Sequence, residues 1–260
     1  MTSRGPQDGP RPSGILAIDK PEGWTSHDVV AVVRGALGVR PVGHGGTLDP
    51  AASGLLPVLV GGATKFAARI HEAPKVYDAV VRFGRETATD DREGASIREA
   101  DAPTLDGKTL DGQLSRLRGV IDQVPPRYAA VKVRGRPAYA RARAGEALDL
   151  AARRVQIYRL DVIQTAPPDV RLLVVCSSGT YVRAIARDLG RGLGSAAYLA
   201  ALRRLAVGAL EARDAITPEA VRALGRDLAK LFRPPDERVL ALDRRFLELP
   251  AATIAAGESA

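Results

Sequence analysis

One cysteine, Cys176, among 260 residues rules out a disulfide within the chain. It sits in the apolar run from Val170 to Cys176, where a buried inert thiol is expected rather than a reactive one. The three histidines, His27, His44 and His71, are scattered and do not form a zinc-ligand set with that cysteine. Aromatic residues are only 4% of the chain, which leaves the core to Ala, Val and Leu. No apolar run is long enough to cross a bilayer and no leader pattern opens the sequence. These absences point to a reducing, cytoplasmic setting, with no membrane association and no metal. Phosphate-loop and dinucleotide fingerprints are missing too: Gly43, Gly45 and Gly46 match neither spacing, and no βαβ alternation surrounds them. A phosphate-binding metabolic enzyme is therefore a remote reading.

Positive charge is abundant. The formal net charge is +8, which suggests an acidic partner without naming one. Between Pro125 and Arg154, Arg127, Lys132, Arg134, Arg136, Arg141, Arg143, Arg153 and Arg154 face only Glu146 and Asp149, an excess of six positive charges. A solvated surface in an arginine-rich protein is the plain explanation. Concentration in one segment favours a surface for a phosphate backbone, which the planar arginine fork grips with two parallel hydrogen bonds.

Local patterns predict an α+β fold around a largely antiparallel sheet. Residues 1–13 read as a loose tail. Gly14 to Asp19 is a strand. Thr25, Ser26 and Asp28 cap a helix that runs to Leu37 and is closed by Gly38. Leu55 to Val60 is a buried strand and Thr64 to Ile70 a short helix. Lys75 to Phe83 alternates, with Tyr77, Ala79, Val81 and Phe83 on one face. Asp90 to Thr104 is loop, and Thr109 caps a helix from Leu110 to Leu117. Strands are expected at Val155 to Tyr158 and Leu172 to Cys176, then a helix from Tyr181 to Leu189. A short helix over Ser195 to Leu202 precedes a strand through Leu205 and Val207. Thr217-Pro218 opens a helix with Val221, Leu224, Leu228 and Phe232 inward. Val239 to Pro250 has room for a strand or two, and Ala251 to Ala260 reads as frayed.

Two places are candidates for chemistry. The loop Gly43-His44-Gly45-Gly46-Thr47-Leu48-Asp49-Pro50 lets backbone approach a ligand, and Pro50 fixes the chain just after the Asp49 carboxylate. An Asx-turn in which Asp49 ties down its own loop is an equally good account. Gly179-Thr180-Tyr181-Val182-Arg183 carries an arginine near a helix start, where it could reach a carboxylate from elsewhere; an ordinary surface arginine is the slightly better reading of that segment alone. Tyr77 on its alternating strand reads first as a core aromatic. Nearby Lys75 and Arg82 keep open a role in stacking an extruded base.

Taken together, these segments resemble a known family. Gly14-Ile15-Leu16-Ala17-Ile18-Asp19-Lys20-Pro21, Gly23-Trp24-Thr25-Ser26, the Gly43–Pro50 loop and Ala52-Ser53-Gly54-Leu55-Leu56 are similar to motifs of the bacterial tRNA pseudouridine synthase B family. So are Lys75-Val76-Tyr77, Pro125-Pro126-Arg127-Tyr128 with Val131-Lys132, and Gly179-Thr180-Tyr181-Val182-Arg183. They follow in family order from Gly14 to about Leu210. Ala129 departs from the serine common at its position.

The resemblance implies a pseudouridine synthase fold: a central mixed, mostly antiparallel sheet with flanking helices and a basic thumb over residues 125–154. Residues 14–235 would form the catalytic domain, and 236–260 a short remnant of the RNA-binding extension many members carry. The implied reaction turns the T-loop uridine of tRNA, position 55, into pseudouridine, with the T arm of tRNA as partner and no obligate protein partner. Uridine and pseudouridine are isomers, so no cofactor is implied. Asp49 would be the essential carboxylate, supported by Arg183, Tyr77 and Tyr181. Lys20, His44, Leu202, Arg127, Lys132, Arg134, Arg136, Arg141 and Arg143 would contact substrate, although solvent exposure accounts for Lys20 equally well. With so short a C-terminus, tRNA affinity is expected to rest mainly on the thumb. An RNA-binding or RNA-folding protein with weak catalysis is the alternative.

Overall fold

The computed structural model describes residues 12–257 except 130, 134, 145, 147 and 148. Most of the expected tail (residues 1–11), Arg134 and the end of the expected frayed segment (residues 258–260) therefore lie outside the described residues. In chain order the elements begin with β1 (Gly14–Lys20), α1 (Ser26–Leu37), β2 (Val42–His44), β3 (Ala52–Val60) and α2 (Ala67–Glu72). Next come β4 (Lys75–Phe83), β5 (Arg85–Thr87), β6 (Ser96–Glu99), α3 (Gly107–Arg116) and β7 (Gly119–Gln123). The basic segment 125–154 holds β8 (Lys132–Val133), β9 (Arg136–Pro137) and α4 (Ala138–Arg143). After it follow β10 (Arg153–Ala166), β11 (Asp169–Cys176), α5 (Val182–Gly192), β12 (Ala197–Val207) and β13 (Leu210–Glu211). The chain closes with α6 (Pro218–Leu224), α7 (Arg245–Glu248) and α8 (Ala251–Gly257).

A nine-stranded sheet runs β1-β3-β12-β4-β11-β10-β7, with β2 added to β3 and β13 to β12. Every pairing is antiparallel except β12 with β3. The mixed, mostly antiparallel sheet expected from sequence is thus present. Alternation along its central strands buries both faces. Tyr77, Ala79, Val81, Leu172 and Val174 meet Leu110 and Leu114 of α3 and Val182, Ile185 and Leu189 of α5. Their neighbours Val76, Leu173, Val175 and Leu205 meet Phe246, Ala251 and Ile254 on the opposite face. Helix α1 lays Val29, Val30, Val33 and Leu37 on β1 and β3. Its start is a capping box between Thr25 and Asp28, and Gly38 ends it in the left-handed conformation at φ 66°.

Several expectations are corrected. Residues 197–202 are strand, not helix: the segment is paired along β4 from Ala197 and joins β3 at Leu202, and that pairing overrides local helix propensity. Helix α3 starts earlier than expected, because Asp106 takes the Thr109 N–H at 2.9 Å. Part of the expected loop after Asp90 pairs as β6 with β5. The strand β10 is far longer than Val155–Tyr158, its outer half being too exposed to show alternation. Leu224 is exposed rather than inward. The C-terminal segment forms no strand among the described residues; α7 and α8 cover the sheet instead, with Phe246, Ile254 and Ala255 buried.

Candidate active site

The loop between β2 and β3 presents Asp49 with its backbone fixed on three sides. Ser26 Oγ, buried at the start of α1, accepts from Leu48 N at 3.0 Å and donates to Leu48 O at 3.2 Å. Gly23 N donates to Pro50 O at 2.8 Å. Arg204 of β12 donates to Gly46 O at 3.0 Å and Thr47 O at 3.4 Å, while its Nε donates to Leu55 O at 2.7 Å. Arg204 gets this close because Gly54 pairs with it across the parallel β3–β12 step. At φ +98° a Cβ on Gly54 would lie 2.3 Å from the Arg204 carbonyl oxygen, so only glycine fits.

The carboxylate of Asp49 is left for a long-range partner. Arg183 Nη2 lies 2.9 Å from Asp49 Oδ2, with the Asp49 side chain 45% exposed and that of Arg183 only 8%. Among the described residues the carboxylate accepts no hydrogen bond from its own loop, and the turn is closed by the Asp49 carbonyl accepting from Ala52 N at 3.1 Å. The Asx-turn account is therefore set aside, as is the surface-arginine account of Arg183. Arg183 also donates through Nη1 to Thr89 O at 3.0 Å and through Nη2 to Tyr128 O at 3.3 Å, and its Nη1 lies 3.5 Å from Asp91 Oδ2.

A cavity of about 360 Å³ opens beside this pair, lined in part by Asp49, Tyr77, Tyr181, Arg183 and Leu202. That volume suits one nucleobase-sized group. Tyr77 is buried beneath it, and burial pushes its phenol up to about 12, with Arg204 opposing the rise. Tyr181 caps the start of α5, and its backbone is clamped by Gln123, which donates to its carbonyl at 3.1 Å and accepts from its N–H at 2.8 Å. Burial raises the Tyr181 phenol as well.

Sequence reasoning missed Arg204 and Asp91, read Arg153 only as part of the basic segment, and gave no role to His71 and Thr180 on the cavity wall. Lys75 also lines it, its amine lowered to about 8, first by burial and then by the Arg204 charge. Arginines 203 and 204 are adjacent on a strand, so one must point inward, which is the only local sign of the buried one.

Other expected residues stand elsewhere. Lys20 is wholly buried, so the solvent-exposure account is set aside. Its ammonium donates to Trp24 O at 2.7 Å, Pro21 O at 3.0 Å and Pro50 O at 3.3 Å, bracing the backbone behind Asp49. Burial lowers its amine to about 8 against the pull of Asp49. His44 is half-buried beside the loop, edge-on to His27 at 5.5 Å, and its Nδ1 accepts from Gly46 N at 3.4 Å. In the basic segment 125–154, Arg141 Nε binds Glu146 at 2.6 Å and Arg136 lies 3.7 Å from the same carboxylate. Arg127 is exposed and donates to Glu146 O at 3.5 Å. Lys132 falls on β8 and Arg143 ends α4.

Among solved structures, the chain resembles that of the archaeal box H/ACA sRNP Nop10–Cbf5 complex, with a TM-score of 0.65, 23% identity, and coverage of 91% of this chain and 64% of that one. A Cbf5–Nop10–Gar1 complex gives a TM-score of 0.66 at 27% identity, covering 87% of this chain and 61% of that one. The chain thus spans less than two thirds of those solved chains. The architecture is the pseudouridine synthase fold. Residues 34–182 match the family described as TruB family pseudouridylate synthase, N terminal domain. The tRNA pseudouridine synthase B of Thermobifida fusca is 47% identical over 218 residues, 81% of this chain and 74% of its own length. That of Pseudomonas aeruginosa is 46% identical over 233 residues, 88% of this chain and 76% of its own. The chain belongs to the TruB family of pseudouridylate synthases. Among the described residues no helix is long and apolar enough to cross a membrane, and no cluster of three metal-ligating side chains occurs.

Proposed function

We propose that this protein converts the T-loop uridine of tRNA, position 55, into pseudouridine, with Asp49 as the catalytic carboxylate. The observation that carries the reading is the Asp49–Arg183 pair at the mouth of a nucleobase-sized cavity. The balance of the reaction is an isomerisation. The C1′–N1 bond breaks, the base turns within the cavity, C5 bonds to C1′, and the proton on C5 returns to N1 through solvent or the site. The target base must leave its stack to enter, and its face then rests on Tyr77.

Asp49 acts as an anion, as nucleophile or as the base for a sugar proton. The Arg183 guanidinium, 2.9 Å away, fixes the carboxylate's direction. Tyr77 supplies an aromatic face; with its phenol at about 12 it is protonated at neutral pH and a poor resting base. Tyr181 and Leu202 complete the wall. The direct test incubates the purified protein with an unmodified tRNA transcript and maps pseudouridine. Product at the T-loop uridine is expected. RNA binding without product would leave the RNA-folding alternative standing.

The thumb supplies the electrostatic footprint on the T arm. Neutralising Arg134, Arg136, Arg141 and Arg143 together is expected to weaken tRNA binding. It should also flatten the slope of log Kd against log salt by roughly 2 to 4, since each phosphate that a cation neutralises contributes about 0.9 to that slope. An unchanged slope would remove this segment from the contact surface even if affinity fell. Glu146 already engages Arg136 and Arg141 in the free protein. Glu146→Gln is accordingly expected to tighten binding at low salt.

A further inference from the structure

Helix α5 carries Arg183, Arg187 and Arg191 at four-residue spacing, so all three lie along one face. Each meets a carboxylate of the short segment 86–91. Arg191 Nε reaches Glu86 Oε2 at 3.0 Å, Arg187 Nη1 reaches Asp90 Oδ2 at 2.8 Å, and Arg183 Nη1 lies 3.5 Å from Asp91 Oδ2. The first two of these arginines also hold the root of the thumb. Arg187 Nη2 donates to Val124 O at 2.8 Å and Arg183 Nη2 to Tyr128 O at 3.3 Å.

Asp90 is the odd member of this ladder. It is the one non-glycine residue with positive φ, +60°, among the described residues, and it is 6% exposed. Left-handed backbone is a strained choice for a residue with a side chain, tolerated best by Asp and Asn. Here it lets two consecutive carboxylates, Asp90 and Asp91, face two arginines one helical turn apart. The turn is laced to β12 by Leu199 N donating to Asp90 O at 3.0 Å and Arg92 N to Leu199 O at 3.1 Å.

We propose that Asp90 and Arg187 are positioning residues for the isomerisation: their buried pair fixes the 89–91 turn and the thumb root, and through Arg183 fixes the direction of the Asp49 carboxylate. Thumb placement and carboxylate placement are then one mechanical unit. The proposal rests on the reading of Asp49 as the catalytic group. Electrostatics agree with the geometry. Burial pushes the Asp90 carboxyl up to about 6, against the pull of Arg187 and Arg183 and with Glu86 adding to the rise. Asp188 is the other carboxylate on Arg187, at 2.9 Å. A carboxyl raised above its unfolded value of 3.8 stabilises the fold fully only below that value, and the contribution is lost as pH rises through about 6. Ionised Asp90 is therefore kept at neutral pH at a cost to stability, as expected of a group retained for function.

The test compares Asp90→Asn, Asp90→Gly, Arg187→Gln and the Asp90→Asn/Arg187→Gln double variant with the parent in single-turnover conversion of a tRNA transcript. Asn and Gly both accept the left-handed backbone, so they remove the charge and leave the turn. Asp90→Asn is expected to slow conversion roughly 10- to 100-fold with tRNA affinity within twofold, the scale of a small misplacement of a reacting group. It is expected to melt no lower than the parent at pH 7.5. The parent's rate should fall as pH drops through about 6 and that limb should vanish in Asp90→Asn. The double variant should be no slower than the worse single one, because the pair acts as a unit. Parental conversion by a folded Asp90→Asn or Asp90→Gly, a loss confined to tRNA affinity, or additive losses would each overturn the proposal. Asp49→Asn in the same assay separates the two levels: if it converts normally the underlying reading fails, and if it is dead while Asp90→Asn is parental only the positioning role fails.

Discussion

Asp49→Asn is expected to lower the single-turnover rate of pseudouridine formation by about four orders of magnitude or more, on the scale of removing a core catalytic group elsewhere, while tRNA affinity stays within a few-fold of the parent. Asn keeps the volume and removes the negative charge that serves as nucleophile or base, so the loss falls on the transition state and hardly on the bound ground state. Folding should survive. The Asp49 side chain is 45% exposed, and half-solvated ion pairs contribute only ~0–1 kcal/mol. Arg183 keeps Asp91, Thr89 O and Tyr128 O as partners when the carboxylate is neutralised. The backbone at Asp49 does not depend on its side chain, because Ser26, Gly23, Lys20 and Arg204 hold the loop from outside. Thermal melts within a few degrees, unchanged tRNA titration and a collapsed rate at saturating enzyme are the expected triple. Near-parental conversion by this folded variant would reduce Asp49 to a structural residue.

Elements that announce themselves locally were legible in the sequence. The Thr25–Asp28 capping box and Gly38 bracket α1, and the alternation from Lys75 to Phe83 marks β4, because in both cases the signal and the stabilising contact lie within one element. Where long-range contact decides, the sequence misleads. Ala197 to Leu202 has the composition of a helix and becomes strand only because β4 supplies hydrogen-bond partners along one edge, while the turn at Asp90 and Arg92 meets Leu199 on the other and β3 joins at Leu202. The helices α7 and α8 are too short to persist alone and exist by burying Phe246 and Ile254 on the sheet.

The site divides in the same way. Asp49 and Arg183 were candidates from their loops, yet their mutual contact spans about half of the chain and no local pattern encodes it; the family resemblance supplied that pairing. Asp91 and Arg204 had no such signal. An aspartate after Asp90 in an acidic stretch reads as solvated, and an arginine on a strand reads as surface until the sheet closes over it.

Arg204 carries the second large effect. Its guanidinium is buried, and among the described residues it binds three carbonyls, of Gly46, Thr47 and Leu55, and pairs with no carboxylate. Burial lowers its pKa while the Tyr77 hydroxyl opposes the fall. Such a cation is costly to bury, and removing it leaves acceptors oriented towards nothing. Each buried acceptor left unpaired costs ~1–3 kcal/mol, so Arg204→Met, which fills most of the space without donors, is expected to destabilise the protein by about 3–5 kcal/mol. For a chain of this size that lowers Tm by on the order of 10 °C. Activity should fall as well, measured well below both melting temperatures, because Gly46 and Thr47 set the path of the chain into Asp49. Arg204 lowers Lys75 and opposes the rise of Tyr77, so the variant should shift both titrations upward. Arg204→Lys restores a cation that can reach the carbonyls singly but not as a fork, and should recover part of the stability. A melting temperature of Arg204→Met within about two degrees of the parent, roughly the effect of a single small surface change, would show that the loop is held by Ser26, Gly23 and Lys20 without help from β12.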